Sequence, residues 1–479
     1  MIISKNAFSN KSYSVLGLAR SGAAAAEALL ESGAKVTVWD RQDVARAPFE
    51  GRCDIADPLQ MDLTGFDGLV VSPGVPLNTH PITQHAARFG VPIIGDIELF
   101  ALARPDLPPH RVVGVTGTNG KSTTVALIHH ILTMAGLPSL LGGNIGEPIM
   151  AQKPLHPNEA AALKDNRGVY VLELSSYQID LTASLDCEAA ALTNITPDHL
   201  DRYDGFAAYA ASKERLFAMQ SAEHLAVFGS LEEPARAIYE RQVARREQGR
   251  EQGRALAVDR EALKALQSQW PSLQGPHNLE NVAVAVAIVE ELGVTSAQWQ
   301  HALPRFRSLP HRMELVCEEH GVVFINDSKA TNTASTAPAL AAYPPQMQIR
   351  YAAPRVHWIV GGLAKEDGLG ECEAQLSNVA AAYTIGEAGP RFGELLRGKV
   401  AQVHDCELVC EAVRRAREAA QPGDVILFSP ACASFDQFRD YENRGDHFRK
   451  LVGVIAEAGD CEPAACPNTD DDYIKGDIA

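Results

Sequence analysis

The stretch GVTGTNGKST, residues 114–123, constrains this chain more than any other. The apolar residues Val112, Val113 and Val115 run into a loop of glycines and small polar residues. The chain then continues into a helix-period pattern with Val125, Ile128, Ile131 and Leu132 on one side. Strand, glycine-rich loop and helix in that order form a phosphate cradle: loop amides and the helix N-terminus face anionic oxygens, Lys121 reaches the outer phosphates, and the Ser122 hydroxyl ligates the magnesium that accompanies ATP. The loop departs from the commonest spacing, because position 115 is Val where that pattern has Gly. A parallel α/β sheet follows as the expected framework, with binding at the carboxyl ends of its strands.

With 479 residues the chain exceeds one ordinary domain, and about three are expected. A formal net charge of -17 argues against a phosphate-backbone binder, so nucleic acid is not an expected partner. The opening MIISKNAFSN lacks the apolar run of a signal peptide and no later stretch reaches membrane-span length, so the expected location is the cytoplasm. Nine cysteines occur without a CxxC pair. Cys406 and Cys410 are read as sharing a helical face for packing, and neither a zinc site nor a disulfide framework is expected.

Residues 12–40, SYSVLGLARSGAAAAEALLESGAKVTVWD, read as strand, glycine turn, Ala-rich helix and strand, ending at Asp40. The glycine pattern is Gly17 to Gly22 with Ala19 in the middle, a degraded dinucleotide fingerprint. It supports a Rossmann-like sheet in which Asp40 either accepts from a ribose hydroxyl or closes a structural turn. GLVVSPGVP adds a strand ending at Ser72, Pro73 and Gly74, and RPDLPPH marks a boundary.

Beyond the phosphate loop, GVYVLELSSYQ ends a strand at Glu173, and AAALTNITPDHLDRY opens into a loop carrying Asp198, His199 and Asp201. Strand ends of one parallel sheet share an edge, so Glu173, His199 and the Lys121/Ser122 loop are expected to converge. Together a carboxylate and an imidazole there favour magnesium, although each alone could be capping or loop chemistry. The stretch YERQVARREQGREQGR (239–254) reads as a solvated helix face or a mobile insertion. Asn278 and Asn281, ahead of an apolar helix, can cap it or meet an adenine edge.

The last segment repeats the strand-end pattern three times: Asp327, Ser328 and Lys329 after one strand, Lys365 after another, and Ser429 to Ser434 after a third. These loops make a second binding face, or ordinary turns. CEPAACPNTDDDYIKGDIA is acidic and aperiodic, and disorder is expected there.

Taken in order, GVTGTNGKST, LELSSYQ, TPDHLDRY, GPHN, LPHRME, NDSKATN and SPACASFDQFRDYENRGDHF resemble the Mur ligases over roughly residues 12–455. GLARSG and the last of these stretches look like the branch that adds D-glutamate. The resemblance implies an α/β protein of three domains: a Rossmann-like UDP-sugar domain at 1–108, a central P-loop-type, mostly parallel sheet at 109–308, and a Rossmann-like amino-acid domain at 309–458, followed by an acidic tail at 459–479. The stretches 239–254 and 344–356 are insertion-like. The implied reaction is ATP-dependent phosphorylation of the alanyl carboxylate of UDP-N-acetylmuramoyl-L-alanine, then attack on the acyl phosphate by the amine of D-glutamate, in peptidoglycan precursor synthesis by a monomer.

Carried over residue by residue, the resemblance gives ATP to Gly117, Thr118, Asn119, Gly120, Lys121, Ser122 and Thr123, with Asn278, Asn281, Arg312 and Asp327. It implies two magnesium ions held by Ser122, Glu173, His199 and a carbamate that CO2 forms on Lys213; Lys121, Glu173, His199 and Lys213 are the expected catalytic set. From sequence alone Lys213 in AASKERLF reads as a surface helix lysine. Ala19, Arg20, Ser21, Asp40, Arg41, Ser72 and Gly74 would line the UDP pocket, and Asn144 would meet the muramoyl part. Lys329, Thr331, Lys365, Ser434, Phe435 and Tyr441 would receive D-glutamate, the two lysines complementing its carboxylates. The rival readings are a sibling Mur ligase or folylpolyglutamate synthetase, an NAD-dependent dehydrogenase built on the first segment, and a nucleotide-switched ATPase.

Overall fold

A computed structural model describes residues 7–158, 166–199, 201–247, 253–347 and 352–457. The tail at 459–479, and parts of the 239–254 and 344–356 stretches, lie outside the described residues. The chain forms two compact units, one of residues 1–263 with 280–303, the other of 264–279 with 304–479.

The first unit holds two parallel sheets. Strands β1 (Ser12–Leu16), β2 (Lys35–Trp39), β3 (Asp54–Ile55), β4 (Gly68–Val71) and β5 (Ile93–Ile94) lie in the order β3-β2-β1-β4-β5. The order reverses between β1 and β4, and crevices for ligands open at such a point. Helix Arg20–Glu31 packs on β1 through alanines and Gly22, where a Cβ would lie 1.9 Å from the Gly17 carbonyl oxygen. Only a residue without a side chain permits that approach.

The second sheet contains β6 (His110–Thr116), β7 (Ser139–Gly143), β8 (Gly168–Glu173), β9 (Ala189–Leu192), β10 (Leu225–Phe228) and β11 (Ala255–Ala257), in the order β11-β10-β9-β6-β8-β7. β6, β8, β9 and β10 are buried along their whole length, which is why they read as apolar runs rather than as alternating patterns. Glu98, on helix Asp96–Ala103 beside the first sheet, accepts from the Ala183 and Ser184 amides (2.7 and 3.0 Å) and the Ser184 hydroxyl (2.8 Å), tying the two sheets of this unit together.

The second unit is built on β12 (Glu314–Glu319), β13 (Val322–Asn326), β16 (Val356–Gly361), β17 (Val379–Ile385), β18 (Gln402–Glu407) and β19 (Val425–Phe428), ordered β12-β13-β19-β16-β17-β18; β14 (Gln346–Met347) and β15 (Ala352–Ala353) form a separate ribbon. Only β12 runs antiparallel in the large sheet. The mixed α/β architecture agrees with the fold class read from the sequence.

Two expectations are corrected here. The charged stretch begins inside helix Ala235–Glu247, and that helix is not merely solvated. Arg246 is 3% exposed, donating to the Gln220 and Gln242 side chains and the His224 carbonyl, because a guanidinium with acceptors on several sides can be buried. Cys406 and Cys410 do not share a helical face: Cys406 lies on β18 and Cys410 on the helix that follows, where it is disulfide-bonded.

Candidate active site

The phosphate loop follows β6 and turns into helix Lys121–Met134. Gly117 adopts φ +148, and a Cβ on it would meet Thr193 Oγ1 at 1.9 Å, so side chains are excluded by conformation and by space. Loop and sheet are pinned from β9: the Thr118 amide donates to the Asn194 carbonyl (2.9 Å), the Asn119 amide to Asn194 Oδ1 (2.9 Å), and the Thr193 hydroxyl to the Asn119 carbonyl (2.6 Å). Lys121 Nζ donates to the Gly117 and Thr118 carbonyls at 2.9 and 2.7 Å, which holds its charge over the loop. Gly120 ends the loop beside Asn281, whose Oδ1 accepts from the Thr124 hydroxyl at 3.3 Å. Ser122 is buried, and Thr123 lies in the first turn of the helix.

Lys213 is no surface lysine. It sits on helix Gly205–Met219, is 1% exposed, donates to the Gly117 carbonyl at 2.8 Å and lies 4.6 Å from the centroid of the Tyr209 ring. Burial pushes its pKa well below the ammonium range and the Lys121 charge pushes it further, while Asp198, Asp180 and Glu173 pull the other way. An amine held toward its neutral form is nucleophilic, as carbamate formation with CO2 demands.

Glu173 closes β8 at 2% exposure. One carboxylate oxygen accepts from the Asn144 side-chain amide at 2.9 Å; the other, Oε2, is buried with no hydrogen-bond partner among the described residues. Such an oxygen is costly unless something cationic satisfies it. Among the described residues no three His, Cys, Asp or Glu side chains form a ready protein-only cage. This donor set fits magnesium, which takes one or two carboxylates and completes its shell with water and substrate phosphates. His199 stands at φ +53 on the loop after β9, half-exposed, with its ring 5.1 Å from that of Tyr177 and its Nε2 3.5 Å from Asp198.

At the reversal point of the first sheet, several of the residues expected at the UDP pocket already have structural partners. Asp40 accepts from the Leu18 and Gln42 amides at 2.7 and 3.0 Å, so its carboxylate fixes the loop after β1. The Ser72 hydroxyl donates to the Gly17 carbonyl at 2.8 Å, latching the loops after β4 and β1. Arg20 reaches the Gly146 carbonyl at 2.6 Å, in the GGNIG loop that also carries Asn144. Ala19, Arg41 and Gly74 are exposed and Ser21 half-buried around this crevice.

In the second unit, Asp327 follows β13, accepting from the Met313 amide (3.0 Å) and the Ser429 hydroxyl (2.7 Å); burial raises its pKa to about 7. Arg312 stands between two non-glycine residues of positive φ, His311 (+62) and Met313 (+46), a local strain that fits a functional turn. Lys329 lies 3.7 Å from the Tyr441 ring centroid, and Lys365 donates to the Thr331 hydroxyl at 3.4 Å. Ser434 is buried, whereas Phe435 is 69% exposed. Asn278 does not cap helix Pro276–Glu291: it lies inside the first turn and donates to the Gln274 carbonyl at 3.0 Å, and Asn281 lies one turn on.

Several residues at these sites escaped the sequence reading. Tyr209, whose hydroxyl lies 3.2 Å from the Thr118 hydroxyl, was findable from its position four residues before Lys213 on one helix. Arg444 lies in a motif already quoted, yet its burial and its bonds to Ser328, Cys432 and Ala433 carry no local signal. Arg202 and Asn78 join two loops about 125 residues apart in sequence, and only the fold brings them together.

Phosphate loop, strand-end carboxylate and buried lysine on one sheet edge define a nucleotide-using α/β enzyme. Comparison makes this specific: residues 115–289 match the Mur ligase middle domain and 311–432 the glutamate ligase domain of the same enzymes. The chain belongs to the Mur ligase family. It is 59% identical to the UDP-N-acetylmuramoylalanine–D-glutamate ligase of Novosphingobium aromaticivorans, over 98% of this chain and 99% of that protein. To the enzyme of the same name from Sphingopyxis alaskensis it is 52% identical, over 95% and 100%. Among solved structures, the fold resembles the UDP-N-acetylmuramate–alanine ligase of Thermotoga maritima (TM-score 0.52, 15% identity, 93% of this chain and 99% of that one). It also resembles the MurF ligase of Thermotoga maritima in complex with ADP (TM-score 0.52, 16% identity, 84% and 97%). At those identities the likeness concerns the fold alone.

Proposed function

We propose that this chain is an ATP-dependent ligase that joins D-glutamate to UDP-N-acetylmuramoyl-L-alanine, releasing ADP and phosphate, as a step of peptidoglycan precursor synthesis in the cytoplasm. High identity to D-glutamate ligases over nearly the whole chain supports this over a sibling activity, and family membership displaces the dehydrogenase reading. The structural observation that carries the chemistry is Lys213, buried against the phosphate loop with its amine disposed to be neutral.

A carboxylate is a poor acyl donor because its leaving group would be oxide. Transfer of the γ-phosphoryl group to an alanyl carboxylate oxygen, with ADP leaving, converts that oxide into phosphate. The D-glutamate amine then attacks the acyl carbon, phosphate departs with the former carboxylate oxygen, and the new amide nitrogen loses its proton. Residues 117–123 cradle the nucleotide phosphates, with Lys121 balancing their charge. Ser122, Glu173, His199 and a carbamate on Lys213 are assigned to magnesium, which when bound neutralises phosphate charge. The carbamate would turn a buried amine, which offers metal no charge, into an anion that attracts it.

Asn278, Asn281 and Arg312 are assigned to the nucleotide, with Asp327 acting there by holding the turn that carries Arg312. Lys329, Thr331, Lys365, Ser434, Phe435 and Tyr441 are assigned to D-glutamate, and the crevice from Ala19 to Ser21 with Asp40, Arg41, Ser72, Gly74 and Asn144 to the UDP-sugar. Asp40 and Ser72 act there by shaping loops, given the bonds they already make. The deciding assay follows phosphate release from MgATP with UDP-N-acetylmuramoyl-L-alanine and D-glutamate, L-glutamate or neither, with the adduct read by mass. Release that requires D-glutamate and yields the amide is the expected result; release indifferent to the amino acid would leave only an ATPase.

A further inference from the structure

Two loops of the first unit come from different sheets: residues 72–78, after β4, and the loop after β9 that carries Asp198, His199, Asp201, Arg202 and Tyr203. The first begins with residues assigned to the UDP-sugar, and the second carries His199. Two side chains bridge them. Arg202 Nη2 donates to the Pro73 and Val75 carbonyls at 3.3 and 3.2 Å, and the Asn78 side-chain amide donates back to the Asp201 carbonyl at 3.1 Å. The Arg202 guanidinium also lies 4.6 Å from the centroid of the Tyr177 ring, and Tyr177 is the ring against His199.

His199 is held by its turn and by aromatic neighbours rather than by burial. Its side chain is 47% exposed, its backbone occupies the left-handed region, and the carboxylate beside it, Asp198, is equally open at 46%. Its position is set by the turn in which the Arg202 amide donates to the His199 carbonyl (2.9 Å), by its own amide donating to Asp198 Oδ1 (2.9 Å), and by the rings of Tyr177 (5.1 Å) and Tyr209 (6.4 Å). Arg202 takes part in two of these, through its backbone amide in the turn and through its guanidinium on the Tyr177 face. Tyr177 is braced in turn by Tyr203, stacked at 6.1 Å and 13°, whose hydroxyl donates to Asp180 at 2.8 Å.

We infer that Arg202 is a positioning residue that couples the loop after β4 to the His199 loop, so that UDP-sugar bound against Ser72–Gly74 orders the imidazole offered to magnesium. The inference rests on the reading proposed above and adds to it a residue and a coupling. Linkage is reciprocal: if the UDP-sugar orders His199, the metal tightens UDP-sugar binding by the same factor. Arginine suits the task because one planar group donates along its edge to two carbonyls while its face lies on an aromatic ring; lysine offers a point charge without the plane.

The test uses the full chain and its Arg202→Met and Arg202→Lys variants. Hydrogen exchange at residues 198–203 is measured on adding UDP-N-acetylmuramoyl-L-alanine without metal or ATP, which needs no turnover. Slowed exchange in that loop is expected in the unmodified chain and not in Arg202→Met. In the assay, Arg202→Met should raise the magnesium concentration for half-maximal rate and the KM for the UDP-sugar together, each by about five- to tenfold, with the KM for D-glutamate unchanged. Arg202→Lys should recover less than half of either loss.

Unchanged magnesium and UDP-sugar dependence in Arg202→Met would overturn the coupling. So would a uniform rise of all three constants with a lowered Tm, which marks a purely structural role. If Arg202→Met does not fold, Asn78→Ala, which removes the other bridge, is held to the same split. A chain that makes no adduct but still passes UDP-sugar protection to residues 198–203 would refute the ligase reading and leave the coupling standing.

Discussion

The central edge of the first unit and the sheet edge of the second each bury a titratable group against its charged form, with opposite sign. Lys213 is pushed toward a neutral amine by burial and by Lys121. Asp327 is pushed toward a neutral acid, with its pKa at about 7. Their neighbours explain the difference in use. Around Lys213 stand Glu173, with one buried oxygen unpaired, Asp198 and Asp180, so conversion to a carbamate would complete a cation site. Asp327 has both oxygens taken by the Met313 amide and Ser429 hydroxyl, so it can organise the turn carrying Arg312 in either protonation state. Burial of a charge is therefore no single signature: unmet partners point to a ligand, and met partners point to a brace.

The largest expected effect falls on the first edge. Lys213→Ala should lower kcat by roughly a thousandfold, in the range for removing one preorganised electrostatic group, and short-chain carboxylic acids should restore part of it by standing in for the carbamate. An Ala variant of undiminished rate would erase the contrast altogether. Glu173→Gln keeps the Asn144 contact within reach but replaces the unpaired anionic oxygen. Magnesium activation should weaken by about ten- to a hundredfold, read from rate against free magnesium. In the second unit Lys329→Met should raise the KM for D-glutamate about tenfold, the worth of one charge-assisted hydrogen bond, while the KM for ATP stays within twofold of the parent by the same assay.

The smallest effect is on stability against pH, and it sharpens the comparison by sign. Asp327 has a folded pKa raised above 3.8, so its contribution is fully present below about 4 and is lost as pH rises through about 7. Lys213 has a folded pKa depressed below 10.5, so the folded state binds fewer protons than the unfolded one, and its contribution rises with pH toward 10.5. Asp327→Asn should flatten the denaturation midpoint between pH 4 and 7 and leave the alkaline limb as it was. A slope that survives the substitution would show that another group carries it.

Much of this was written locally in the chain. GVTGTNGKST announces a strand, a phosphate turn and a helix because glycine spacing, a lysine and an apolar period occur within one short window, and the buried strands β6, β8 and β9 read as apolar runs because parallel sheets are covered on both faces. Ordered motifs also sufficed for the family, and they nominated most of the candidate residues. What the sequence could not reveal were relations across long separations. Lys213 reads as an exposed helix lysine until the helix is laid against the phosphate loop 96 residues away. Asp40 reads equally as a ribose acceptor or as a turn carboxylate until its oxygens are found on the Leu18 and Gln42 amides. Arg202 and Arg444 carry no local signal, because their acceptors are carbonyls supplied by other loops. Local sequence determines which conformation each segment prefers and which chemistry it can carry. Desolvation and hydrogen-bond partnership depend on what the rest of the chain places alongside, and so only the tertiary structure could decide which charges are buried, which are paired, and which remain available for a ligand.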